Sequence, residues 1–290
     1  MKKQLRLVLI GFGMGAADLV PGVSGGTIAF ISGIYKELVE SIKIVSGPAL
    51  LSLLRGDVAE AFRLVPFAFL IPLGGGLIGA VLSLSSLLTF LLHAHAVSLR
   101  SFFFGLVLAS VFVVRKQIRV WNGQVWAAFL FSVAAAYVLV GLVPVQTSAS
   151  AWAFFVSGAI AICAMILPGI SGSFLLLIMG KYEQVLMAVH ERDFVTLGVF
   201  LLGVIVGLAL FSRLLSWMFA HYYTMVMAVL TGLMLGSLRR LWPWHEAGGN
   251  YIPQADASLL VALLLLIAGV IIVWAVDHRQ GSISTSSPPV

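Results

Sequence analysis

Long apolar runs separated by short polar gaps organise the whole chain. They fall at roughly 5–20, 25–43, 66–92, 98–114 and 125–143, then again at 152–167, 172–189, 195–219, 223–238 and 258–276. A helix that crosses a bilayer needs about 20 apolar residues. The last three runs of each set therefore predict transmembrane helices. The first two of each set are short or interrupted, and predict a broken-helix, re-entrant hairpin at 5–43 and another at 152–189. Irregular backbone at membrane depth is tolerated only where protein or a water-filled cavity surrounds it. A hydrophilic loop at about 43–64, with room for a short amphipathic surface helix, separates the first hairpin from the first span.

The five-plus-five pattern is a repeat. Leu19-Val-Pro-Gly-Val-Ser-Gly-Gly-Thr-Ile28 returns 147 residues later as Ile166-Leu-Pro-Gly-Ile-Ser-Gly-Ser-Phe-Leu175, and Gly11, Gly33 and Tyr35 return as Gly158, Gly180 and Tyr182. Further on, Gly105–Ser110 matches Gly232–Ser237 at an offset of 127, and Gly75 and Gly79 match Gly203 and Gly207 at 128. The shorter offset reflects the longer loop of the first half. The amino-terminal stretch imitates a signal peptide, but its Gly11 has a counterpart in Gly158, which assigns it to the fold. The expected organisation is a first repeat at 1–145, a second at 146–278, and a disordered Ser/Pro-rich tail at 279–290.

Composition fixes the solvent. The chain is 61% hydrophobic and 10% charged, with a mean hydropathy of +1.09, against about 25% charged residues in soluble domains. This is an all-α polytopic membrane protein. Its net charge of +6 reads as topology and lipid-surface attraction rather than nucleic-acid binding. Placing both termini and the 36–63 and 115–124 loops in the cytoplasm puts eleven Lys and Arg residues inside and five outside, with Arg213 within a span. That arrangement satisfies the positive-inside rule, apart from the unexplained outer pair Arg239-Arg240. The odd number of spans per half then makes the repeats inverted in topology. Inverted repeats with broken midplane helices are a transporter architecture.

The breaks carry the chemistry. Pro21 ends a helix, Gly22, Gly25 and Gly26 permit a tight reversal, and a new helix starts near Ser24–Thr27. Its first N–H groups lack intrahelical partners and sit at the positive end of the helix dipole, a setting that suits phosphate. Gly169, Ser171, Gly172 and Ser173 repeat the arrangement in the second half. Gly22, Ser24, Gly25, Gly26, Thr27, Gly169, Ser171, Gly172 and Ser173 are thus the candidate phosphate-binding residues, with Arg213 as a candidate counter-charge. Asp18, whose counterpart is Met165, is the candidate binder of a coupling proton or sodium ion, or else a helix cap. Lys36-Glu37 and Lys181-Tyr182-Glu183, after each hairpin, read as solvated interface groups or gates. The six histidines lack ligand-like spacing, so no metal and no cofactor is expected. The single Cys163 forms no intrachain disulfide.

The run Gly15-Ala-Ala-Asp-Leu-Val-Pro-Gly-Val-Ser-Gly-Gly-Thr-Ile-Ala-Phe30 with Gly33-Ile-Tyr35 closely resembles the signature of the bacterial PopT-type polyprenyl-phosphate transporter family, as do Leu167–Ser173 and Gly180-Lys-Tyr182. The resemblance covers nearly the whole chain. It implies return of undecaprenyl phosphate from the outer to the inner leaflet of the bacterial cytoplasmic (inner) membrane, with the polyprenyl-phosphate lipid and the bilayer as partners. The same motif is similar to the Pro-Gly-x-Ser-Arg-Ser of membrane undecaprenyl-diphosphate phosphatases. Gly25 and Gly172 stand at the arginine position, however, and no paired glutamates adjoin. The groups hydrolysis needs are missing, and the chain is not expected to be an enzyme. A transporter of a small soluble anion is the other reading that stays open, as does the oligomeric state.

Overall fold

The computed structural model of the protein describes residues 2–145, 147–246, 249–250 and 257–284. It is helical throughout, apart from two paired two-residue strands, His245–Glu246 and Gly249–Asn250. The first half runs α1 (Lys2–Asp18), α2 (Gly25–Ile31), α3 (Tyr35–Ile44), a π-helical turn (Val45–Ala49), α4 (Leu50–Leu54), α5 (Val58–Leu64), α6 (Phe67–Ala94), α7 (Ala96–Arg115) and α8 (Gly123–Leu139). The second runs α9 (Ala151–Ile166), α10 (Gly172–Ile178), α11 (Tyr182–Glu191), α12 (Phe194–His221), α13 (Tyr223–Leu241) and α14 (Ala257–Ser284). Several starts are set by side-chain caps that satisfy first-turn amides. Asn122 accepts from Val125, Ser150 from Ala153, and Asp193 from Val195 and Thr196.

Among the described residues five helices, α6, α7, α12, α13 and α14, are long and apolar enough to cross a membrane, and this is a multi-pass membrane protein. α8, expected as a sixth span, is apolar but has 17 residues, about 26 Å at 1.5 Å per residue. The hairpins differ from expectation in having three pieces each. A second break follows the Pro-Gly one, at Ser32–Ile34 and again at Met179–Lys181, where Gly33 and Gly180 have φ of 73° and 64°. Across the latter, α10 and α11 bend by 98°. The 43–64 loop is helical for most of its length. α3 passes through the π turn into α4, and the wider turn accommodates Pro48, whose missing N–H would interrupt an α-helical ladder. At the other end α14 continues to Ser284, past the expected limit of 278. The remainder of the expected tail lies outside the described residues.

Close-packed helix pairs build the body. α1 pairs with α6, α9 with α12, α7 with α14 and α8 with α13. Small residues let the backbones meet, as is common where lipid supplies no hydrophobic drive. A Cβ at Gly76 would overlap the Val8 carbonyl, and one at Gly203 the Phe155 carbonyl. These two glycines are 127 residues apart, as are the starts of the 28-residue helices α6 and α12. The structure thus corrects the 128-residue match by one position. Gly75 and Gly79, the partners expected for Gly203 and Gly207, have nothing within 4 Å of where a Cβ would stand. α7 and α13 also touch, and run antiparallel. Tyr223 at the start of α13 donates to Gln117 just beyond the end of α7 (2.9 Å), while Trp242 beyond the end of α13 lies on Phe104 in the first half of α7 (5.7 Å between centroids).

Candidate functional site

The two Pro-Gly breaks cross each other and are joined by hydrogen bonds. After α1, Gly22 takes a φ of 91°, and the chain turns so that Ser24, in an extended conformation, caps α2. After α9, Gly169 takes a φ of 86° and Ser171 stands at the equivalent place before α10. A helix that stops before a proline leaves its last carbonyls without donors. Here the first half supplies them. Ser24 Oγ donates to the Leu167 carbonyl (3.3 Å) and Tyr35 Oη to the Ile166 carbonyl (3.0 Å). In return the Gly169 N–H donates to Thr27 Oγ1 (3.2 Å). The approach is close enough that a Cβ on Gly26 would stand 3.0 Å from the Ile166 carbonyl oxygen.

The helix starts are used unequally. In α2 the Gly25 N–H donates to Asp18 Oδ1 (2.7 Å), the Gly26 N–H to Ser24 Oγ (3.1 Å) and the Thr27 N–H to the Ser24 carbonyl (2.9 Å). The protein's own oxygens therefore occupy the positive end of this helix, and one of them is a carboxylate. At the start of α10 no carboxylate is supplied, because Met165 of α9 stands where Asp18 of α1 would be. Ser171 makes no capping bond and instead shares a hydrogen bond with Ser173 (2.8 Å).

A cavity of about 320 Å³ opens at this point. Asp18, Ser24, Ser171, Gly172 and Ser173 form its polar end, and Met165, Leu176, Phe200 and Val204 are among its apolar walls. A second cavity of about 520 Å³ follows α9 and α12 from Phe155 to Leu214, is almost wholly apolar, and shares Ile170 with the first. Hydroxyls and helix-start amides beside an apolar groove suit a ligand with an anionic head and a long apolar body. The Asp18 carboxylate at the same rim opposes any anion unless a cation neutralises it.

Of the expected site residues, the structure brings Asp18, Ser24, Ser171, Gly172 and Ser173 together at the cavity. Gly25, Gly26 and Thr27 are buried within the crossing and do not line it. Gly22 packs against Arg240 and Leu241, and Gly169 against Met234 and Ser237, all on α13. Arg213 is not brought to the breaks. It lies nine residues beyond Val204 on α12, about 13 Å along the axis, with its guanidinium over Gly47 of the π turn. Lys36, Glu37 and Glu183 are exposed, as expected of interface groups. Lys181 is fully buried instead. Its Nζ donates to the Ser148 carbonyl (2.6 Å) and Gln184 Oε1 (2.8 Å), above the Phe154 ring.

Two contributors escaped the sequence. Tyr35 was legible only as a repeated residue, not as the donor that closes the second break. Arg240 was visible only as half of a pair that fitted no topology. Its stem fills the space beside Gly22 and its guanidinium lies 4.9 Å from the Phe174 centroid, so it touches both broken elements. Its neighbour Arg239 turns away, donating to the Tyr137 carbonyl (2.9 Å) and lying over the Tyr137 ring.

The undecaprenyl phosphate translocase-like family matches residues 14–258, which include both breaks and four of the five long spans, α6, α7, α12 and α13. A protein of Vibrio cholerae named polyprenyl-phosphate transporter is 40% identical over 299 aligned residues, covering 94% of this chain and 96% of its own. A protein of the same name from Staphylococcus aureus is 31% identical over 283 aligned residues, covering 91% and 93%. No solved structure gives a significant match. The sequence signature, the crossed helix breaks and these relatives agree, and the chain belongs to the undecaprenyl phosphate translocase-like family.

Proposed function

We propose that the protein returns undecaprenyl phosphate from the outer to the inner leaflet of the bacterial cytoplasmic membrane. The phosphate is held at the crossed Pro-Gly-x-Ser-Gly breaks while the isoprenoid remains in lipid or in the apolar groove along α9 and α12. The observation that carries this reading is the cavity where the hydroxyls of Ser171 and Ser173 meet the start of α10, with the apolar groove adjoining it. A phosphate crossing hydrocarbon without such a refuge pays the full desolvation cost of a charge. Both relatives are named for transport of a polyprenyl phosphate, which supports the same class of substrate here.

The antiparallel course of α7 and α13, which hold equivalent places in the two halves, supports inverted repeats. With both termini in the cytoplasm, each half rocks about the shared site and exposes it to one leaflet at a time. Asp18 is the coupling group. Its carboxylate holds the first amide of α2 and faces the cavity, so binding of a proton or sodium ion there removes the repulsion a phosphate would meet.

The test is transport by the purified protein in liposomes containing labelled undecaprenyl phosphate, under an imposed pH or sodium gradient. Ser171→Ala with Ser173→Ala removes two donors to a charged group, at about 1.5–3 kcal/mol each. Headgroup affinity should fall by about a hundredfold or more, with thermal stability retained because neither hydroxyl closes the crossing. Asp18→Asn should uncouple flux from the gradient. Unchanged flux in the serine double variant would remove the breaks from the binding site, and competition by inorganic phosphate alone would point to a soluble anion as substrate.

A further inference from the structure

The two halves share a plan but not a set of contacts, and the difference is systematic. On one face α3 and the π turn lie against α12 of the other half. There Lys43 Nζ donates to Ser216 Oγ (2.9 Å) and pairs with Glu40 (3.3 Å), Ser216 Oγ donates to Glu40 Oε1, and Ser46 Oγ lies 3.4 Å from Ser212 Oγ. Deeper in, Tyr35 and Ser24 hold the carbonyls of Ile166 and Leu167. Every one of these links but Lys43–Glu40 runs from the first half to the second.

The symmetry-related positions follow from the two offsets, 147 along the hairpins and 127 along the long helices. Ser212 and Ser216 of α12 correspond to Ser85 and Thr89 of α6. Lys43 corresponds to His190, and Tyr35 to Tyr182. Hydroxyls thus recur at both places on the long helix, a basic residue recurs at the end of the hairpin helix, and a tyrosine follows its second break. In this conformation they are not joined. α11 packs on α10 and α12 and makes no comparable packing on α6 among the described residues. Tyr182, His190 and Thr89 are exposed, and Ser171, the counterpart of Ser24, bonds to Ser173 at the cavity rim.

We infer that the molecule has a second conformation in which the two hairpins exchange roles, an inference that rests on the transport reading above. α11 docks on α6, with His190 meeting Thr89 as Lys43 now meets Ser216. Tyr182 turns to the Leu19 carbonyl, the counterpart of Ile166, while Tyr35 and Ser24 let go and α3 leaves α12. The present conformation is closed on the α3–α12 side and open at the cavity beside α10 and α12. The exchange closes that cavity and opens its counterpart on the opposite side, between α1, α2 and α6. Most of these hydrogen bonds are replaced by others of the same kind, and those of Glu40, whose counterpart is Met187, are not, so the two states differ by the bonds of one side chain. A difference of that size is one a bound ligand can offset, shifting their populations.

The test is disulfide trapping in membrane vesicles, in a Cys163→Ser background. Lys43→Cys with Ser216→Cys reports the present conformation, and Thr89→Cys with His190→Cys reports the exchanged one. Disulfides form only where the two Cα atoms come within about 7 Å. Both pairs should cross-link when made separately. In the protein carrying all four cysteines, forming the 43–216 bond first should lower the yield of the 89–190 bond about tenfold, as expected of alternating states. A 43–216 bond without any 89–190 bond, or both bonds in one molecule at full yield, overturns the exchange. The same vesicles carry labelled undecaprenyl phosphate, which keeps the two readings apart. Flux without the 89–190 bond defeats the exchange alone. Mutually exclusive bonds without flux defeat the choice of substrate alone.

Discussion

Tyr35 is buried, and its hydroxyl donates to one of the carbonyls left open where α9 stops before Pro168. Tyr182 holds the same place in the second half but is 39% exposed. The sequence shows the two tyrosines as equals because a repeat is read from residue identity, while a hydrogen bond depends on which half reaches across. Tyr35→Phe keeps the ring in its contacts with Phe30 and Phe219 and removes only the donor. A buried carbonyl left without its partner costs about 1–3 kcal/mol. The expected result is a lower unfolding temperature in detergent for Tyr35→Phe, and a change within about 0.5 kcal/mol for Tyr182→Phe. Equal losses would mean that both tyrosines carry structural bonds in the resting protein. Ser24 gives a similar lesson. It read as a phosphate ligand, but its hydroxyl both caps α2 and closes the second break, so Ser24→Ala tests stability before it tests binding.

At the scale of elements, the helices themselves were legible because most apolar runs end at a proline, a glycine or a capping side chain, the joints at His95 and Tyr222 being exceptions that only a polar gap marks. The second break in each hairpin was not legible, because Gly33 and Gly180 are lone glycines without a neighbouring proline, and the charged residues that follow them read as interface groups. Register was the other weak point. Gly74, Gly75 and Gly76 offer three choices, and only backbone proximity picks Gly76 as the equivalent of Gly203. This leads to a paired prediction. Gly76→Ala forces a methyl into the Val8 carbonyl and pushes α1 from α6, at an overpacking cost of about 1–3 kcal/mol. Gly75→Ala meets open space and gains helix propensity, worth up to about 1 kcal/mol. Thermal unfolding of the two variants in detergent should therefore move in opposite directions. A larger loss at position 75 would restore the 128-residue register.

At the scale of the whole molecule, the halves suggested by the repeat are not expected to stand alone. The pairs α1–α6 and α9–α12 are internal to a half, but α7 packs on α14 and α8 on α13. Those joints are backbone-close. A Cβ at Gly105 of α7 would overlap the Leu266 carbonyl, and one at Gly236 of α13 the Val133 carbonyl. Lys116 and Asp277 add an ion pair at 2.8 Å across the first of them. The crossed breaks tie the halves once more, since the carbonyls of Ile166 and Leu167 find their donors in the other half. Van der Waals contact between small residues drives helix association where lipid is the solvent, so separating the halves exposes fitted surfaces and unpaired polar groups together. Residues 1–145 or 146–290 expressed alone should therefore aggregate on extraction, whereas the two fragments produced together should copurify through a tag on one and unfold as a single unit. A monodisperse isolated half with its own cooperative unfolding transition would show instead that each repeat is a domain, and that the crossing is a contact between finished parts.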